Sequence, residues 1–144
     1  MLTKIQIDLI AAVAHQLAGK PVIIRERIPA TVGVWGEAHK AENGECVIDL
    51  SPTIPDEKML FVVLHEIAHH ARHVFLPSDV YKAKPQTLSI NEPSVGQNIR
   101  ENSADAQAAE WLEWGKEHAN PRLYQIAPFE GVLIALLDYA KSEV

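Results

Sequence analysis

His65-Glu66-Ile67-Ala68-His69 spells H-E-x-x-H, directly behind the apolar run Met59-Leu60-Phe61-Val62-Val63-Leu64. On a helix, residues four apart lie on one face. His65 and His69 can therefore aim two imidazoles at a single metal ion. Glu66 projects beside them, where its carboxylate can take a proton from a metal-bound water. This is the two-histidine zinc pattern of peptide-bond hydrolysis. For this composition, chance alone would produce roughly 0.03 such matches. The bland alternative is a pair of surface histidines on an amphipathic helix. Against it, Leu60, Phe61, Val63 and Leu64 offer the apolar face that would hold a metal-bearing helix rigid.

A catalytic zinc needs a third protein ligand and one open position for water. Downstream, Glu101-Asn102-Ser103-Ala104-Asp105 reads E-x-x-x-D. Glu101 is the expected third ligand. Asp105, one turn on, shares its face and can accept the outer N–H of a zinc-bound imidazole. Ala104 is small, as suits two helices closing around an ion. By itself E-x-x-x-D is weak, with roughly 0.27 chance matches after the motif. Its value lies in the pairing with H-E-x-x-H. Two exposed acids complementing a helix dipole are the plain alternative, and Glu92, just before Pro93, competes as third ligand. The expected cofactor is Zn2+. Tyr81, His118 and Tyr124 are candidate donors to a developing oxyanion, and their spacing selects none of them.

The elements that must position these residues follow from periodicity. Ile5, Leu9, Ile10, Val13, Ala14 and Leu17 predict a helix over residues 3–18, closed by Gly19 and Pro21. Strands are expected at 21–24, 31–36 and 45–50, the last two forming a hairpin whose loop holds His39 and the turn pair Asn43-Gly44. Pro55, Asp56 and Glu57 open the motif helix, which should reach about residue 74. Residues 75–93 read as a long loop with Pro77, Pro85 and Pro93. A third helix is expected from 94 or 95 to 118, and a final one from 124 to 140, split near Pro128. His70 and His73 fall on other faces than the metal pair and are expected to face solvent. Trp111 and Trp114 are expected to pack against the final helix.

The chain has 144 residues, 47% hydrophobic and 22% charged, which suits one domain, residues 1–144, with a core of its own. A formal net charge of −6 argues against nucleic acid or an anionic membrane as partner. The lone cysteine, Cys46, excludes an internal disulfide and a cysteine-based zinc site, and its apolar neighbours predict burial. Residues 2–17 are interrupted by Lys4, Gln6, Asp8, His15 and Gln16, which reads against a signal peptide. No run approaches the ~20 apolar residues of a membrane span. The expectation is a cytoplasmic protein.

His65-Glu66-Ile67-Ala68-His69-His70, followed by Glu101-x-x-Ala104-Asp105-x-x-Ala108, resembles the ImmA/IrrE family of small zinc metallopeptidases. The order of elements resembles it too, over residues 5–118. The resemblance implies an α+β fold: a minimal zincin-like domain with a short, mainly antiparallel β-sheet packed against an active-site helix and two to three further helices. It implies His65, His69 and Glu101 as zinc ligands and Glu66 as general base, in a gluzincin-like site often carried by phages or mobile elements. Two departures stand out. Asp105 occupies a place where the family commonly has Asn, and Gln107-Ala108-Ala109-Glu110-Trp111-Leu112-Glu113 replaces the usual following segment. Two functions are carried forward. One is a metallo-endopeptidase with a protein or peptide substrate, which could dock as an added strand on the 31–50 hairpin. The other is a zinc-binding regulatory or interaction protein that keeps the site without cutting. Oligomeric state is not legible.

Overall fold

The computed structural model describes residues 2–31, 33–72, 81–83 and 95–142. For residues 72, 81–83, 95–103 and 142 it describes the backbone alone. Helix α1 (Lys4–Ala18) opens with a capping box: Thr3 and Gln6 each satisfy the other's backbone N–H. It ends at Gly19, whose φ of 73° is a left-handed cap that a side chain would strain. Of the apolar residues that spacing places on one face of α1, Ile10, Val13 and Ala14 are buried and Leu9 and Leu17 partly so, whereas Ile5, in the first turn, is exposed.

Three strands follow, β1 (Val22–Glu26), β2 (Gly36–Lys40) and β3 (Cys46–Leu50), and later a short β4 (Tyr81–Ala83). They form one mixed sheet in the order β1-β3-β2-β4. β1 runs parallel to β3, while β2 is antiparallel to both β3 and β4. The expected hairpin is therefore present, with Gly44 at φ 87° in its turn. Its first strand, however, lies later than residues 31–36. Gly33 sits at φ 82° and breaks the extended run there. Pairing follows register with β3 instead, Ala38 opposite Ile48 and Glu37 opposite Asp49. His39, expected in the loop, is consequently a strand residue. The segment 75–93, expected to be a loop, contributes β4 to the sheet edge; its remaining residues lie outside the described ones.

Helix α2 (Asp56–Arg72) carries the motif. Asp56 and Glu57 lie at its positive N-terminal end, where acids are favourable. Met59, Val62, Val63, Leu64, Ile67 and Ala68 are all buried in the main core. Each large aliphatic of that set contributes about 1.5–3 kcal/mol through removal from water. α2 packs against the sheet, α1 and α3.

Helix α3 (Val95–His118) crosses α2 through Ala104 and Ala108, both fully buried, whose small side chains permit a close approach. Asn120 caps a short α4 (Pro121–Ile126) with Pro121 at its start, and α5 (Pro128–Ser142) closes the domain against α1 and α3. The final helical region is thus split at Ala127. Trp114 contacts Tyr139 of α5, ring centroids 4.7 Å apart. Cys46 is buried. Among the described residues, no helix is long and apolar enough to cross a membrane.

Candidate metal centre

His65 and His69 lie one turn apart on α2, and their Nε2 atoms stand 3.1 Å from each other. The rings meet edge to face with centroids 4.7 Å apart. Two nitrogens bound to one tetrahedral zinc at about 2.0–2.1 Å would stand roughly 3.3 Å apart. The two donors fit a shared ion on that measure. The far side of His65 is fixed as well: its Nδ1–H donates to Asp105 Oδ1 on α3 at 2.7 Å. That bond turns Nε2 toward His69 as the nitrogen that could meet an ion, and it holds the ring in one orientation. His65 is buried while Asp105 is half exposed.

Glu66 is wholly buried beside this pair. Glutamate is among the residues rarely buried to that degree, and one in an apolar helix points to a functional demand. Its carboxylate lies against β2 at Gly36: a Cβ built there would fall 3.0 Å from Glu66 Oε2. Glu101 sits on α3 one turn before Asp105; its side chain lies outside the described residues, as do Glu92 and the side chain of Tyr81. Of the other oxyanion candidates, His118 is exposed at the far end of α3, stacked on Trp114, and Tyr124 belongs to α4. The geometry thus brings together His65, Glu66, His69 and Asp105.

His70 departs from expectation. It is buried, and its Nε2–H donates to the Val47 carbonyl of β3 at 2.9 Å. The reason is that α2 is enclosed on the sheet side too, so a face that spacing assigned to solvent is covered. Burial pushes the His70 pKa down to about 4, against a smaller opposing effect of the Val47 bond; Lys20, His69 and His39 add lesser repulsions. The unfolded chain takes up this proton near pH 6.5, and the native protein only near pH 4. His70 therefore favours the native state fully above about pH 6.5. That contribution, about 3 kcal/mol, is lost as pH falls from 6.5 toward 4. We expect the urea midpoint of metal-free protein to fall over that window, and to fall much less in His70→Gln. Parallel profiles for the two proteins would remove His70 as the cause.

A second group was not visible in the sequence. Glu37, His39 and Asp49 offer ligand atoms within 4.8 Å of one another and could hold a metal ion. They meet because Glu37 and His39 alternate on β2 and Asp49 lies opposite Glu37 on β3. E-x-H on a strand was the available signal, hidden by the earlier placement of that strand. Other partners already engage these carboxylates. Arg25 binds both Asp49 oxygens, at 2.7 and 3.1 Å, and Thr31 donates to Glu37 Oε2 at 2.6 Å. His39 Nδ1 lies 3.9 Å from each acid. Two guanidinium groups, Arg25 at 2.7 Å and Arg27 at 3.9 Å from Asp49, already offset negative charge here without an ion.

No family model, no curated protein and no solved structure matches this chain.

Proposed function

We propose that this protein is a zinc-dependent metallo-endopeptidase acting on a protein or peptide substrate, a gluzincin-like relative of the ImmA/IrrE family. The observation that carries the reading is the pair of Nε2 atoms 3.1 Å apart, one ring fixed by Asp105, next to a fully buried glutamate. A structural metal site has no use for that glutamate. His65 and His69 would hold the ion, with Glu101 as third ligand from α3. Bound zinc supplies Lewis acidity, lowering the pKa of a coordinated water to about 7 and polarising a carbonyl. Glu66 would serve as general base, taking up the proton of the attacking water and passing it to the leaving amine. Asp105 keeps His65 in the tautomer that presents Nε2. We place the protein in the cytoplasm, in keeping with its single, buried cysteine; a phage or mobile-element setting follows only from the resemblance.

The test is metal content joined to cleavage profiling of a cell proteome. Purified protein should carry about one zinc per chain and yield products that disappear on chelation and return with zinc. Stoichiometric zinc without any zinc-dependent product would leave the regulatory, non-cutting reading. Protein that cannot be loaded with zinc would end both.

Asp105→Ala isolates the orienting bond. Zinc affinity should fall about 10–100-fold, read by competition with a chromogenic chelator. An unchanged affinity would show that His65 is held without its help.

A further inference from the structure

The geometry points to Gly36 as a positioning residue: the absence of a side chain there seats the Glu66 carboxylate between α2 and the sheet. Its catalytic meaning rests on the function proposed above. Gly36 lies within the sheet, opposite Leu50 of β3 and Ala83 of β4. It is the first residue of β2, and a glycine in a paired strand often marks a close approach by another group. Backbone conformation does not require it. The glycines with positive φ among the described residues are Gly19, Gly33 and Gly44.

Space does require it. A Cβ at position 36 would stand 3.0 Å from Glu66 Oε2, 3.1 Å from Glu66 Cγ and 3.1 Å from Val62 Cγ1. Ordinary carbon contacts lie near 3.5–4.0 Å. Val62 and Glu66 are four residues apart, so one stripe of α2 rests on this glycine. That stripe has little room to retreat. Val62 and Glu66 are buried, His65 is bound to Asp105, and His70 is bound to the Val47 carbonyl. A methyl group at 36 would displace the carboxylate by a few tenths of an ångström while leaving the His65–Asp105 and His70–Val47 bonds in place.

Gly36→Ala is therefore expected to keep its zinc and its KM while kcat falls about tenfold, the scale on which small misplacements act. An unchanged kcat would overturn the proposal. So would a loss of kcat that tracks loss of zinc, because that describes a general packing defect. A second measurement is independent of activity. The drop in urea midpoint caused by Gly36→Ala should be at least halved when Glu66 is first truncated to Ala. Equal drops in both backgrounds would show that Glu66 is not what the methyl group meets. If Gly36→Ala does not fold alone, recovery of folding in the Glu66→Ala background supports the proposal, and failure to recover overturns it. Should the wild type cut nothing, the proposed function falls, while this coupling still decides whether Gly36 seats Glu66.

Discussion

Glu66→Gln should retain about one zinc per chain and lose cleavage by about 10²–10⁴-fold, the range that a positioned general base contributes. The substitution is nearly isosteric, so the amide fits the same slot above Gly36. It leaves the proposed metal donors, His65, His69 and Glu101, untouched. What it removes is the ability to hold a proton between the attack on the carbonyl and departure of the amine. Initial rates against whatever substrate the proteome profile yields, together with metal analysis, read both halves. Cleavage at the wild-type rate would remove Glu66 from the reaction. A second consequence separates chemistry from folding. The side chain keeps its volume, so Glu66→Gln should unfold at a urea concentration close to that of the wild type.

The residues of α2 from His65 to His70 combine two demands that ordinarily conflict. Leu64, Ile67 and Ala68 are core residues, yet His65, Glu66, His69 and His70 are buried among them. Bonds tie α2 to neighbouring elements, His65 to α3 and His70 to β3. Those bonds offset desolvation and fix the helix in rotation and height. Glu66 and His69 are buried on the same stretch of α2, and the proposed function gives each of them a role there. Departures from an all-apolar interior concentrated at one helix turn are where a functional site is expected.

What was legible in the sequence depended on period. The 3.6-residue spacing in α1 and α2, together with proline and glycine at their ends, marked those helices closely. The same spacing placed His65 and His69 on one face. Asp105 could be assigned a partner only in kind, because which α2 residue it meets depends on how α2 and α3 cross. β2 was misplaced because local apolarity at Val34 and Trp35 outweighed the weak alternation of Glu37, Ala38 and His39. Strand position there is decided by pairing with β3 and by Gly33, neither of which is a local signal. With β2 misplaced, neither the Glu37-His39-Asp49 group nor the contact of Gly36 with Glu66 could be read. His70 differs from its expected exposure for a related reason: spacing along one helix does not say how many of its faces are covered.

Removing a ligand should have the other large effect, and it also decides which of the two candidate centres holds the ion. His69→Ala is expected to weaken zinc binding by more than the ~10–100-fold typical of losing an orienting partner, because one of three protein donors is gone. Glu101→Ala should behave alike, whereas Glu92→Ala should keep its zinc; the reverse outcome would transfer the third ligand to Glu92. His39→Ala should also keep its zinc, since Arg25 already engages Asp49 and Thr31 engages Glu37. Stability offers a second readout. An ion present at about a thousand times its dissociation constant stabilises the native state by about 4 kcal/mol, on the order of 10 °C in melting temperature for a domain of this size. Chelation should therefore lower the melting temperature of the wild type and of His39→Ala by that amount, and leave His69→Ala nearly unmoved. If the chelator shift instead vanishes in His39→Ala and persists in His69→Ala, the ion sits on the sheet. Glu66 would then have no water to deprotonate, and the peptidase reading would fall with it.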